Sequence, residues 1–234
     1  MKKERCPDGF SLQHVLKASN RAITRIAWSP DGRLLASASY DQSVHLWDIT
    51  TGKEQREITG YSGSVFTVAI TPDGQQVVSA SKNSLKIWDV TGPIRPQTLR
   101  GHQDYVYTAA VSPDGRFIVS GAYDQTVKFW DLSTGAELAS LRGHHGRIGC
   151  VMVSPDGRLA ISGAGDNLVM FWDMASFTPL RTLSGHKGEV LSLAMTQKGE
   201  TLATGSHDGT VRLWQPESGE LLHMLTDHTG PVTA

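Results

Sequence analysis

The chain of 234 residues contains only two cysteines, Cys6 and Cys150. Two cysteines cannot build the disulfide framework on which small secreted domains depend. A single bond between them stays open as an alternative, but a free cysteine usually behaves as a small apolar residue. We therefore expect two reduced thiols, one near the N-terminus and one packed within a strand.

A charge excess of one sign is also missing, since 22 basic and 23 acidic residues leave a formal net charge of −1. Such a chain is not drawn as a whole to nucleic acid or to an anionic membrane surface. No apolar run approaches the roughly 20 residues of a membrane span, and no charged start leads into the apolar stretch of a signal peptide. We expect a cytoplasmic protein with no nucleic-acid or membrane partner, unless a signal precedes residue 1.

The motifs that hold phosphates, dinucleotides and metals are absent from the sequence. It contains no G-x-x-x-x-G-K-[ST], G-x-G-x-x-G, C-x-x-C or H-E-x-x-H pattern, and the run Gly163-Ala164-Gly165 is typical of a tight turn. Without these patterns there is no sequence support for a nucleotide loop or a zinc site. The sequence therefore predicts no cofactor and no metal.

What the sequence does contain is a repeat of about 42 residues. Five tryptophans mark it, with spacings of 41, 42, 42 and 42 residues: Trp47, Trp88, Trp130, Trp172 and Trp214. Aspartate follows the first four, and Gln215 follows the fifth. Gly-His pairs precede the last three tryptophans in the same register: Gly101-His102, Gly143-His144 and Gly185-His186.

A Pro-Asp-Gly turn lies between two short apolar runs in four of the repeats, as in Ser112-Pro113-Asp114-Gly115. Proline presets φ, aspartate bonds its own backbone, and glycine accepts the left-handed conformation. Runs of strand length on both sides of such a turn predict antiparallel hairpins rather than helices. For the third repeat we predict strands over residues 106–111, 116–122, 126–130 and 136–141.

The period and the Gly-His and Trp-Asp markers resemble those of the WD40 family. The resemblance covers nearly the whole chain from about Phe10, and it implies an all-β propeller of radially arranged, four-stranded antiparallel blades. We assign residues 1–9 to a leader and 10–234 to the propeller. The repeats are 10–48, 53–89, 95–131, 136–173, 178–215 and the start of another at 220–234.

Five blades are complete, and two leftover pieces belong to a sixth. Residues 10–16 occupy the register of an outer strand, and residues 231–234 begin an innermost strand. Because propellers of this family commonly have more blades, we expect a fragment of a longer propeller. A five-bladed ring with frayed ends and completion by another chain are the alternatives, and unpaired blade edges would favour self-association.

Histidine, serine or threonine, and aspartate recur before each of the last three tryptophans, which suggests the Ser-His-Asp triad of a hydrolase. Their repetition argues against catalysis, since an enzyme needs one constellation in one pocket. The resemblance implies instead a buried hydrogen-bond network within each blade. The predicted members are His102, Ser120, Asp124, Trp130, His144, Ser162, Asp166, Trp172, His186, Thr204, Asp208 and Trp214. Ser19 and Tyr61 replace the histidine in the first two repeats, which we expect to be softer.

The resemblance also places partner-binding positions on the loops around one end of the channel. Seven of these positions hold aromatic residues, arginine or histidine: Tyr40, Phe66, Tyr105, Tyr107, Tyr123, Arg147 and His207. Aromatic residues and arginine are enriched where binding energy concentrates, and clustered rings also attract a Lys or Arg side chain. Tyrosine is common at strand ends without any such role. Trp28, inside an innermost strand, is expected in the core.

The leading hypothesis is a non-catalytic scaffold that binds a protein or peptide at this face. The alternative is a regulatory or architectural module that packs against other domains of a larger chain. A hydrolase carried on the propeller is the weakest hypothesis, because the sequence offers no unique acid-base or metal constellation.

Overall fold

The computed structural model of the protein describes residues 11–17, 19, 21–93 and 95–233. The predicted leader, Cys6, Phe10 and Ala234 lie outside these residues. Within them, twenty strands form five antiparallel sheets, each made of four strands that follow one another in the chain. The predicted all-β propeller with five complete four-stranded blades is confirmed.

Each sheet is one blade, and its strands are numbered in chain order. Blade one contains β1 (Ile23–Trp28), β2 (Leu34–Ser39), β3 (Val44–Asp48) and β4 (Lys53–Ile58). Blade two contains β5 (Val65–Ile70), β6 (Gln76–Ser81), β7 (Ser84–Asp89) and β8 (Gln97–Arg100). Blade three contains β9 (Val106–Val111), β10 (Phe117–Ala122), β11 (Thr126–Asp131) and β12 (Glu137–Arg142). Blade four contains β13 (Ile148–Val153), β14 (Leu159–Ala164), β15 (Val169–Asp173) and β16 (Pro179–Leu183). Blade five contains β17 (Val190–Met195), β18 (Leu202–Ser206), β19 (Val211–Trp214) and β20 (Leu221–Leu225).

The Pro-Asp-Gly motif closes the hairpin between the first two strands of a blade, as predicted. In blade three the hydroxyl of Ser112 donates to Asp114 over 2.5 Å and accepts the N–H of Phe117 over 2.9 Å. Gly115 has a φ of 69°, a conformation that costs glycine little because it has no Cβ. The motif therefore fixes both the direction of the turn and the strand that follows it.

Apolar side chains fill the space between consecutive blades and form four cores. The core between blades three and four contains Phe129 and Ile148, and Trp172 lies within it with no exposed surface. Burial of one large apolar side chain contributes about 1.5–3 kcal/mol. The first strands β1, β5, β9, β13 and β17 contact one another in that order and line the channel.

Trp28 is 54% exposed, so the prediction that it belongs to the core is wrong. Its counterparts in the next two blades, Ile70 and Val111, pack against the blade that precedes them. Among the described residues, blade one has no such neighbour on that side. Ile23 and Ile26 on the same strand are exposed for the same reason.

Residues 11–16, most of the segment predicted as a sixth outer strand, form no strand in the structure. An outer strand pairs only with the third strand of its own blade, and the described residues supply no such partner to this segment. At the other end, the N–H of Val232 donates to the carbonyl of Ser206 over 2.9 Å. Val232 is buried, although residues 231–233 also form no strand.

Candidate functional site

The first strand of every blade has an irregular register at its second residue. In blade three, Gly121 pairs with Thr108 and Ala122 pairs with Val106, so Tyr107 is left without a partner. A β-bulge of this kind bends the strand and redirects a side chain. The five residues at this position all line one cavity of about 710 Å³ along the channel: Thr24, Phe66, Tyr107, Gly149 and Leu191.

A backbone hydrogen bond in each of four blades holds the turn between the second and third strands against the loop before the first. In blade three the N–H of Tyr123 donates to the carbonyl of Tyr105 over 2.9 Å. In blade one the N–H of Tyr40 donates to Ala22 over 3.1 Å. The turn residue and the loop residue are thereby brought to the channel mouth together.

The β-bulges and these backbone hydrogen bonds place five aromatic rings next to one another, a set that we call the aromatic row. The row consists of Tyr40, Phe66, Tyr105, Tyr107 and Tyr123. Tyr40 and Phe66 have ring centroids 6.0 Å apart, Phe66 and Tyr107 5.6 Å, and Tyr107 and Tyr123 5.8 Å. Most of these contacts are edge-to-face, the arrangement that aromatic quadrupoles favour.

The aromatic row is accessible to solvent although its rings contact each other. Tyr40 is 43% exposed, Tyr105 48% and Tyr107 37%, while Phe66 and Tyr123 are half-buried. Burial, followed by the neighbouring tyrosines, raises the pKa of Tyr107 above its ordinary value. Its hydroxyl therefore remains a hydrogen-bond donor at neutral pH.

Arg147 closes one end of the aromatic row. Its guanidinium lies 5.0 Å from the ring centroid of Tyr123 and donates to the hydroxyl of Tyr123 over 2.5 Å. Two further N–H groups form a bidentate pair with Glu189, each over 2.6 Å. The hydrogen bond to Glu189 raises the pKa of Arg147, so the arginine is permanently charged. The structure thus brings six of the seven predicted binding residues together.

His207 is the seventh predicted binding residue, and it lies apart from the aromatic row. Its side chain is exposed on the turn of blade five. Its backbone N–H donates to the carbonyl of Glu189 over 2.8 Å. No aromatic contact joins it to the row within the described part of the chain.

The predicted networks form three separate chains of hydrogen bonds, one in each of blades three to five. In blade three, Trp130 Nε1 donates to Ser120 Oγ over 2.8 Å, and Ser120 Oγ lies 2.8 Å from His102 Nε2. His102 Nδ1 lies 2.9 Å from Asp124 Oδ2. The matching distances lie between 2.7 and 3.0 Å for His144, Ser162, Asp166 and Trp172, and for His186, Thr204, Asp208 and Trp214.

The burial of these networks opposes a catalytic role. Ser120 is completely buried, so no substrate reaches its hydroxyl. Burial acts to raise the pKa of Asp124, but hydrogen bonds from His102 and Thr126 hold it well below its ordinary value. An ionised aspartate accepts the Nδ1 proton, which leaves Nε2 to accept from serine. Every polar group of this hydrogen-bond network is then satisfied, as a rigid core requires.

The first two blades replace the missing histidine in different ways. In blade two, Tyr61 Oη lies 2.7 Å from Ser79 Oγ, which also accepts the N–H of Trp88 over 3.1 Å. Burial raises the pKa of Tyr61, so this hydroxyl is neutral. In blade one, Trp47 donates to Ser37 over 3.0 Å without a histidine partner.

Blade one contains a second line of polar groups that the sequence did not suggest. His45 Nδ1 lies 2.6 Å from Glu54 Oε1, and His45 Nε2 lies 2.7 Å from Ser43 Oγ. These three residues have the order of a Ser-His-Glu triad and occur in no other repeat. However, Ser43 donates to Asp41 over 2.5 Å and is only 4% exposed. We interpret the line as a structural substitute for the missing histidine.

Cys150 is buried in β13, and burial raises the pKa of its thiol to about 12. A thiol that stays protonated is a poor nucleophile and a poor metal ligand. Among the residues that the structure describes, no three His, Cys, Asp or Glu side chains form a group able to hold a metal ion. No helix with the length and apolar composition needed to cross a membrane occurs in the same residues.

Comparison with known proteins agrees with the repeat and with the blades. The family model described as "WD domain, G-beta repeat" matches residues 10–48, 52–89, 95–131, 135–173 and 177–215. The chain belongs to the WD40 repeat family. The predicted family is thereby confirmed, and protein interaction is the general use of this fold in the family.

Individual relatives resemble only part of the WD40 region. The human U5 small nuclear ribonucleoprotein 40 kDa protein is 36% identical over 81 residues, which are 35% of this chain and 22% of the relative. Human coronin-7 is 33% identical over 70 residues, or 30% of the chain and 8% of the relative. Periodic tryptophan protein 2 of Arabidopsis thaliana is 34% identical over 70 residues, which are 30% of the chain and 8% of the relative. The chain therefore spans about a fifth or less of these relatives.

Proposed function

We propose that this protein is a non-catalytic scaffold that binds a protein or peptide through the aromatic row at the channel mouth. The observation that carries the proposal is the exposure of three tyrosines at positions where bulges and turns direct them outward. Exposed aromatic clusters of this kind are typical of interaction sites. The general use of the family as an interaction platform supports the same function.

The rigidity of the site favours binding without rearrangement. Tyr107 is held by a bulge in a central strand, and Tyr123 is held by a backbone bond to Tyr105. Tyrosine loses little conformational entropy when it is fixed at an interface, because it has only two side-chain torsions. A preformed site therefore retains most of its contact energy as affinity.

The proposal is tested by affinity capture with the wild type and the variant Tyr105→Ala/Tyr107→Ala/Tyr123→Ala. The matched control is Leu138→Ala/Leu180→Ala/Leu222→Ala, which removes three exposed apolar side chains from outer strands. We expect a reproducible set of bound proteins that is lost from the tyrosine variant and kept by the leucine control. Equal capture by all three proteins at matched Tm would contradict binding through the aromatic row.

A second candidate function is a regulatory or architectural module, and a different observation favours it. Ile23, Ile26 and Trp28 on blade one are exposed, as are Met224 and Leu225 on the outer strand of blade five. Exposed apolar patches of this kind mark surfaces that pack against other domains or other proteins. One relative is named as a small nuclear ribonucleoprotein protein, which fits a role in a larger assembly. Sedimentation velocity with Trp28→Glu and Met224→Glu tests whether these faces support self-association.

A further inference from the structure

We propose that the aromatic row binds a proline-rich segment of a partner protein in the polyproline II conformation. This inference rests on the proposed function and narrows the class of partner. The row faces solvent as aromatic rings with hydroxyl donors between them, and this combination fits extended proline-rich chains.

The rings are too close together to enclose a cationic head group. Phe66 lies in the middle of the row, with its ring centroid 6.0 Å from Tyr40, 5.8 Å from Tyr105 and 5.6 Å from Tyr107. Rings at these distances contact each other directly, so no side chain inserts between neighbouring rings. The row is therefore a continuous surface for a ligand that lies across it.

The charges beside the aromatic row also disfavour a Lys or Arg ligand. Arg147 is a permanent cation over Tyr123, and both carboxylate oxygens of Glu189 accept hydrogen bonds from it. A cationic ligand would approach Arg147 and would compete for a carboxylate that is already paired. Asp104 is exposed beside Tyr105, but its carboxylate accepts the Tyr105 backbone N–H over 2.7 Å.

The donors on the aromatic row match a ligand with unpaired carbonyl groups. Tyr123 Oη accepts a hydrogen bond from Arg147, so its own proton is available to a ligand. Among the described residues, the hydroxyl groups of Tyr40, Tyr105 and Tyr107 have no hydrogen-bond partner. Proline has no N–H, and the polyproline II helix has no internal hydrogen bonds, so its carbonyls remain open to such donors.

The length of the aromatic row sets the size of the segment. From Tyr40 through Phe66 and Tyr107 to Tyr123, the three ring-to-ring steps measure 6.0, 5.6 and 5.8 Å. At about 3.1 Å per residue, these steps set an upper limit of about five or six residues of polyproline II, because a straight helix is no longer than the path that the rings follow. Because this helix repeats every three residues, two successive turns of the ligand would contact the rings.

Phage display tests the inference. A library of random dodecapeptides is selected for binding to the wild-type protein. Each selected sequence is then measured by fluorescence anisotropy on the triple tyrosine-to-alanine variant and on the leucine control. We expect sequences with proline recurring at three-residue spacing, with affinity lost at least tenfold in the tyrosine variant only. Row-dependent sequences without proline, including lysine-rich ones, would overturn this inference and leave the proposed function standing. Selected sequences that bind all variants equally would overturn both.

A second variant separates the rings from their hydroxyl groups. Tyr105→Phe/Tyr107→Phe/Tyr123→Phe keeps the aromatic surface and removes three donors. Ten-residue all-proline, alternating lysine-alanine and alternating glycine-serine peptides serve as defined probes. We expect only the all-proline peptide to bind the wild type, and to bind the phenylalanine variant about three- to tenfold more weakly. Equal affinity for the two proteins, or preference for the lysine-alanine peptide, would overturn the inference.

Discussion

Arg147 and Glu189 are separated by 42 residues, occupy equivalent positions on blades four and five, and form a bidentate ion pair. The pair links two neighbouring blades at the channel mouth and neutralises both charges beside the aromatic row. The repeat that builds the fold therefore also places two opposite charges next to each other.

Glu189→Gln should leave the positive charge of Arg147 uncompensated. We expect the affinity of a row-binding peptide that carries one added glutamate to rise severalfold, because the peptide supplies the missing carboxylate. Stability should change by less than about 1 kcal/mol, since an ion pair with an exposed arginine is weak. Fluorescence anisotropy and thermal melts measure the two effects, and Glu217→Gln, an exposed position on blade five, is the matched control.

The hydrogen-bond networks should matter more for stability than an exposed side chain of similar size. Asp124→Ala leaves buried donors of His102 and Thr126 without their acceptor. His144→Ala leaves the Ser162 hydroxyl without its acceptor and Asp166 without one of its donors. Each loss should cost about 1–3 kcal/mol, or roughly 2–12 °C in Tm for a domain of this size. Lys53→Ala, at an exposed position, is the control. A Tm change no larger than that of Lys53→Ala would contradict a structural role for the networks.

The network of blade five should make stability depend on pH. Burial lowers the pKa of His186, and the neighbouring Asp208 only partly opposes the shift. Between the folded pKa and the unfolded value of about 6.5, the unfolded chain binds more protons than the folded one. The free energy of unfolding should therefore decrease as the pH falls below about 6.5. Thermal melts of His186→Gln should show a smaller decrease, whereas Leu222→Ala should keep the wild-type profile.

The repeat markers predicted the blades because local chemistry determines each one. The third repeat illustrates this, with β9 predicted over 106–111 and found at Val106–Val111. Its Pro-Asp-Gly turn sets the next strand through bonds made by Ser112 and Asp114 alone. No distant residue is needed for either step, so the sequence pattern is sufficient.

Other features depend on neighbours that one repeat does not reveal. Trp28 occupies a position in the repeat that is apolar and expected in the core. Only the arrangement of the blades shows that its face of β1 contacts no other sheet among the described residues. The bulge at Tyr107 arises from a register shift between two strands. The contact of His45 with Glu54 crosses from β3 to β4, and Lys128 contacts Glu137 at the same positions of blade three. Histidine holds this position in blade one only, so the period gave no signal for a second histidine network.

Trp28 provides a direct test of the exposed face of blade one. The other five tryptophans are at most 4% exposed, whereas Trp28 is 54% exposed. We expect acrylamide to quench one component of the tryptophan fluorescence strongly, and Trp28→Phe to remove that component and shift the emission to shorter wavelength. Trp88→Phe is the matched control and should leave the quenchable component in place. If Trp28 is already protected in dilute wild-type protein, another surface covers it, and protection that grows with protein concentration would identify that surface as a second copy.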